Sequence, residues 1–90
     1  MQVRRLVITG LVQGVGFRYS MAAQARLLGL SGWVRNRRNG SVEAMVAGDA
    51  GQVAEILAWS RIGPAGAAVE NVLVETASGD FSGFEMLPTA

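Results

Sequence analysis

Residues 10–18 read Gly-Leu-Val-Gln-Gly-Val-Gly-Phe-Arg, a glycine-rich stretch that runs directly into an arginine. If a helix begins at Phe17, the stretch suits an anion. The first turn of a helix carries unpaired N–H groups and partial positive charge, and glycines let a ligand approach the main chain closely. The Arg18 guanidinium adds a planar fork that can grip two phosphate oxygens together. Gln13, Gly14, Val15, Gly16 and Phe17 are therefore a candidate phosphate-binding loop, with Arg18 beside it. A tight turn with no ligand is the competing reading. Neither familiar nucleotide fingerprint fits: Tyr19 stands where a dinucleotide motif needs its third glycine, and no Gly-Lys-Ser/Thr follows. The second informative stretch is Gly-Trp-Val-Arg-Asn-Arg-Arg-Asn-Gly at residues 32–40. Its plain reading is a strand and turn, with Trp33 in the core and Arg35, Arg37 and Arg38 on a solvated surface. Asn36 stands out, because Asn is depleted in strands and its amide both donates and accepts hydrogen bonds. Such a group can orient a water without being a base.

Composition removes most other chemistry. The chain has no His and no Cys, which excludes disulfides, Cys or His metal ligation, a cysteine nucleophile and any His-based triad. Ser20 has no His or Lys to activate it and reads as a helix-surface residue. Glu43, Asp49, Glu55, Glu70, Glu75, Asp80 and Glu85 lack the spacing of a metal site or an acid–base pair and read as solvated faces, so no metal and no cofactor are expected. Met21, Met45, Trp33 and Trp59 read as packing residues. Formal charge is +1, yet seven of the eight arginines lie in residues 1–42, where there is no acid, while all seven acids follow. That asymmetry suits an anionic partner for the first half unless the fold interleaves the two halves.

The periodicity supplies the elements that must hold these residues. Residues 2–9 alternate as a strand, and from Phe17 the spacing of Phe17, Met21, Ala25 and Leu28 predicts one helical face, with Gly29 placed for a C-terminal cap. A second strand begins at Trp33, and Asn39-Gly40 followed by Val42, Ala44 and Val46 signals a hairpin into a third, with its register open. Asp49 is the expected N-cap of a second helix, with Gln52 three residues on and Val53, Ile56, Leu57 and Ser60 along one face. Val69 to Thr76 and Phe81 to Leu87 read as the fourth and fifth strands. The order β-α-β-β-α-β with a short extra strand predicts a ferredoxin-like α/β sandwich, of class α+β, with two helices on one face of a mostly antiparallel sheet. At 90 residues, 50% apolar and 17% charged, residues 1–90 are expected to form a single globular domain. No apolar run approaches the roughly 20 residues of a membrane span, and no signal-peptide core is evident, so a cytoplasmic protein with no membrane partner is expected.

Taken together, residues 10–18 and the run from Gly32-Trp33-Val34-Arg35-Asn36 through Gly40-Ser41-Val42-Glu43 closely resemble the acylphosphatase family, whose members hydrolyse carboxyl-phosphate mixed anhydrides. The resemblance extends over essentially the whole chain, including Gly83-Phe84-Glu85 near its end. Leu11, where Arg is frequent, and Asn39, where Asp is frequent, depart from the pattern and bear on substrate preference. The resemblance implies that Arg18 and Asn36 are catalytic, that the substrate is a small acyl phosphate, and that the protein works as a monomer without a cofactor. Arg18 and the amides of about residues 14–18 would hold the phosphoryl oxygens, and Asn36 would hold the attacking water. No protein base is needed, since a carboxylate leaves readily and a phosphate oxygen can take the proton. Two rivals exist. An RNA-binding module would suit a ferredoxin-like sheet, but residues 42–47 hold no aromatic for base stacking and the charge of +1 is low for a nucleic-acid domain. A non-catalytic phosphate-binding domain, like those fused within larger carbamoyl-transferring maturation proteins, is the other, and the chain length favours a free-standing enzyme.

Overall fold

Along the first strand Leu6 and Ile8 alternate with Arg5 and Val7, and only the first pair is fully buried. The same two-residue rhythm in Val42, Ala44 and Val46 puts a second apolar row beside it, so the strands share one core face. A computed structural model describes residues 1–90 as β1 (Gln2–Leu11), α1 (Phe17–Leu27), β2 (Ser31–Asn36), β3 (Val42–Gly48), α2 (Ala50–Ser60), β4 (Ala68–Thr76) and β5 (Phe84–Met86). The sheet order is β4-β1-β3-β2-β5, antiparallel throughout except for the parallel β2–β5 pair. Two β-α-β units interlock: α1 links β1 to β2 across β3, and α2 links β3 to β4 across β1. Both helices cover the same face, where Phe17, Met21, Val53 and Ile56 close the core. This is the ferredoxin-like sandwich expected from the element order.

The winding decides where a site can form. Because β1, β2 and β5 run the same way, their C-terminal ends lie at one end of the sheet, and α1 starts there because it follows β1. Open α/β sheets place ligands in the crevice at this end. A bulge between Thr9 and Gly10 shifts the β1–β4 register just before the loop. Gly10 is required there: at φ 122° its Cα faces the β4 backbone, and a Cβ would run into the carbonyl oxygen of Ala68.

The helices begin differently. Asp49 caps α2 through a capping box: its Oδ1 accepts from Gln52 N (2.8 Å), and Gln52 Oε1 accepts from Asp49 N (2.9 Å). Gln52 Nε2 also donates to Leu28 O at 2.8 Å, tying α2 to the end of α1. Gly16 caps α1 in a left-handed conformation and has no side chain to give its amides. Phe17 fixes that start instead, buried against Trp59 with ring centroids 5.3 Å apart.

Three expectations are corrected by the register. The fifth strand spans three residues rather than 81–87, because Gly83 at φ 70° turns the chain before it and, after Leu87 N donates to Val34 O, the regular ladder is broken, the next donor to β2 being Ala90 N to Asn36 O. Trp33 is not in the core. Val34 takes the core face, so Trp33 lies half-buried on the open face under the Arg35 guanidinium, 4.8 Å from its ring centroid. Glu43 is not a solvated carboxylate either. It is 4% exposed on the open face, where Arg5 contacts its Oε2 (2.6 Å) while Arg35 (2.7 Å) and Arg37 (3.0 Å) contact its Oε1. Arg5 also reaches Glu75 at 2.6 Å. The charge halves are thus interleaved, and three of the early arginines are paired.

Burial alone would push the Glu43 carboxyl up, but hydrogen bonds from Arg35, Arg5 and Arg37 outweigh it and hold the group below the usual carboxylate range. A carboxyl lowered by folding stabilises the fold above its unfolded value, about 4.3, and that contribution disappears as pH falls through the folded value. The arginines are about one-third exposed, so the loss on removing the charge is well below that of a fully buried pair. Glu43→Gln is expected to cost about 2 kcal/mol near neutral pH and to flatten the acid decline in stability. Urea midpoints across the acid range check this, and parallel acid limbs in the two proteins would contradict it.

Candidate active site

Strand parity selects Asn36. It shares the face of Val34, looking toward α1, while Arg35 and Arg37 point to the opposite side and Glu43. As the last residue of β2 it sits beyond the packed core, half-buried at the sheet end where the glycine loop begins. Its backbone is held by pairing with Val42 on one side and by Ala90 N, which donates to Asn36 O at 3.0 Å, on the other. Its side-chain amide has no partner within the chain.

The loop also keeps its donors free. None of the backbone N–H groups of residues 12–16 donates a hydrogen bond within the chain, and the first helical bond runs from Ser20 N to Gly16 O at 2.9 Å. The amides of Phe17, Arg18 and Tyr19 occupy the first turn, where a helix provides no i−4 acceptor. Gly14 and Gly16 alternate left-handed φ values of 76° and 78° with ordinary neighbours, which curls successive N–H groups toward one concavity. The result is a cleft of about 270 Å³ lined by Val12, Gln13, Gly14, Gly16, Phe17, Arg18, Tyr19, Asn36 and Met86. It is sized for a small ligand.

Arg18 is half-buried beside these amides, and its Nη1 donates to Leu87 O at 3.0 Å. One of the five guanidinium N–H groups is thereby anchored just past β5, and the Nε and Nη2 groups remain uncommitted. Arg26, two turns further along α1, fastens the same strand through Nε and Nη2 to Phe84 O at 3.1 and 2.8 Å. These bonds hold β5 and the Arg18 fork in one frame. No carboxylate lines the cleft, so the amides and Arg18 give it a positive character.

Of the residues singled out from the sequence, Gln13, Gly14, Gly16, Phe17, Arg18 and Asn36 meet in this cleft, whereas Val15 turns against the core. The Gln13 side chain also has a structural task. Its Nε2 donates to Arg37 O (2.7 Å) and Ser41 O (2.9 Å), pinning the loop to the five-residue connection between β2 and β3. Asn39 Oδ1 stiffens that connection by accepting from Ser41 N (3.0 Å) and Ser41 Oγ (2.7 Å), a role equally open to an Asp carboxylate. Val12, Tyr19, Met86 and the Leu87 carbonyl escape sequence reasoning. Only the three-dimensional return of β5 beside β2 brings Met86 and Leu87 here; Tyr19, next to Arg18, had a weak signal in its position on the first turn.

Comparison with known proteins places this geometry in context. A family model described as Acylphosphatase matches residues 4–86. The acylphosphatase of Albidiferax ferrireducens is 54% identical over 82 residues, covering 91% of this chain and 89% of that protein. The acylphosphatase of Azoarcus sp. is 51% identical over 87 residues, covering 96% and 89%. Among solved structures, an acylphosphatase from Coxiella burnetii superposes with a TM-score of 0.92 at 36% identity, covering 96% of this chain and 92% of its own.

The clamp made by Gln13 yields a direct test. Gln13→Leu removes one of the two donors serving each turn carbonyl, Arg37 O keeping Gly40 N and Ser41 O keeping Arg37 N, and is expected to lower stability by about 1 kcal/mol, or roughly 4–8 °C in Tm for a domain of this size. The amide resonances of residues 36–41 should shift with it. A variant with unchanged Tm and unchanged resonances there would show that the clamp does not hold the turn.

Proposed function

The chain belongs to the acylphosphatase family, and on that premise we propose that it hydrolyses small acyl phosphates to a carboxylate and inorganic phosphate. The observation that carries the reading is a loop, residues 12–16, whose amides are unpaired within the chain and which lines the same cleft as Arg18, with its Nε and Nη2 uncommitted, and Asn36, with its side-chain amide free. A phosphoryl group seated on the loop places its equatorial oxygens among N–H groups and the guanidinium. These donors are fixed before the reaction, so they stabilise the charge that spreads over those oxygens as the bond to the acyl oxygen lengthens. The Leu87 carbonyl keeps the fork aimed and limits what must reorganise.

Asn36 holds the attacking water on the side away from the leaving group, its carbonyl accepting from the water and its NH2 available to a phosphoryl oxygen. The water oxygen forms a bond to phosphorus while the phosphorus–acyl oxygen bond breaks, its electron pair leaving on the carboxylate. A proton of the water passes to a phosphoryl oxygen, and inorganic phosphate departs. No side chain of the cleft is asked to act as general base, in keeping with a lining that lacks His, Cys and carboxylates.

Hydrolysis of benzoyl phosphate tests this. Arg18→Ala is expected to lower kcat/KM by on the order of 10³-fold or more, the scale of an arginine that stabilises phosphoryl transfer. Asn36→Ala is expected to lower kcat by roughly 10²-fold while affecting inhibition by inorganic phosphate much less. Arg18→Ala loses one hydrogen bond to a carbonyl, so it should stay folded by circular dichroism. Near-normal turnover by a folded Arg18→Ala protein would overturn the assignment.

A further inference from the structure

We propose that Tyr19 and Met86 form the acyl-side wall of the cleft and select acyl phosphates whose acyl group is uncharged and apolar, aromatic ones above all; this rests on the reading just given. The phosphoryl pole is defined by the loop amides, Arg18 and Asn36. What remains of the lining is uncharged. Val12 and Phe17 are each 1% exposed and form the floor, whereas Tyr19 and Met86 are 71% and 36% exposed and flank the opening. Tyr19 comes from the first turn of α1 and Met86 from the end of β5, so the two belong to different elements that the Arg18–Leu87 and Arg26–Phe84 bonds lock together. An acyl group leaving the phosphoryl site outward passes between an aromatic face and a thioether. Those two surfaces suit a flat apolar group, since rings stack or meet edge to face and a thioether packs favourably on aromatic carbon.

Charge selects against the alternative. Arg18 is the only cation lining the cleft. Arg35 and Arg37, the nearest arginines in sequence to Asn36, are bound to Glu43 on the other face of the sheet. An acyl group bearing a second carboxylate or phosphate would find no second cation among the lining residues, and desolvating it against Tyr19 and Met86 is unfavourable.

The test compares kcat/KM for benzoyl, acetyl and succinyl phosphates, each normalised to its uncatalysed hydrolysis, in the wild type, in Tyr19→Ser/Met86→Ser and in Tyr19→Phe/Met86→Leu. The expected order in the wild type is benzoyl above acetyl above succinyl, with the first two about 10-fold apart or more, the scale at which an apolar pocket discriminates. The double Ser variant should lower the benzoyl-to-acetyl ratio about 10-fold, and the Phe/Leu variant should restore it. Each ratio is taken within one protein, so a general loss of folded enzyme cancels. A ratio unchanged in the double Ser variant, or a wild type that prefers succinyl phosphate, overturns the proposal while leaving the hydrolase reading intact. A wild type that hydrolyses none of the three overturns the hydrolase reading itself.

Discussion

Everything at the site depends on a helix whose first amides are left without partners inside the chain. Backbone donors removed from water without an acceptor are costly, and most helices spend theirs on a capping side chain, as α2 does on Asp49. α1 has a glycine at that position and keeps its donors available. The surroundings then have to hold the loop in shape without touching those donors. Phe17 anchors it from beneath through the core, Gln13 ties it sideways to the β2–β3 connection, and the bulge at Gly10 bends β1 toward it. Each of these contacts uses a side chain or a carbonyl and leaves the loop N–H groups free.

Electrostatics are sorted by the sheet. An arginine-rich first half could have surrounded the cleft with competing cations. Strand parity instead sends Arg5, Arg35 and Arg37 to the open face, where one sheltered carboxylate, Glu43, gathers all three. Glu43 in turn braces the β2–β3 hairpin from the far side through Arg37, whose carbonyl receives Gln13. The two faces of the sheet are thus mechanically joined through one residue while remaining electrostatically separate.

Much of this was legible in the residues. The alternation of Leu6 and Ile8, the helical spacing from Phe17 and the Asp49–Gln52 box are local signals, and local physics decided them. The glycine loop, Arg18 and Asn36 stand out in the sequence as residue types, and the fold brings them to one cleft, while the roles expected of them come from the family resemblance. What was hidden depended on pairing. Whether Trp33 or Val34 faces the core turns on a one-residue register that the hairpin sequence left open, and the partners of Glu43 come from β1 and β2 only once β3 lies between them. Gln13 reads in the sequence only as a member of the loop, and only the folded turn reveals the carbonyls its side chain serves. Met86 carried no signal at all, since its role follows from the parallel return of β5.

The hydrogen bond from Arg18 to the carbonyl of Leu87 joins residues 69 positions apart in a chain of 90. Such a closure is non-local, and non-local pairings form late and slowly compared with the helices and hairpin that precede them. During synthesis, the loop and Arg18 emerge long before residues 84–87, so a partly made chain can carry both recognition segments and still lack the wall and anchor that complete the cleft. Completion of the cleft therefore waits on the docking of β5, and a newly made molecule acquires the full lining only when residues 84–87 find β2.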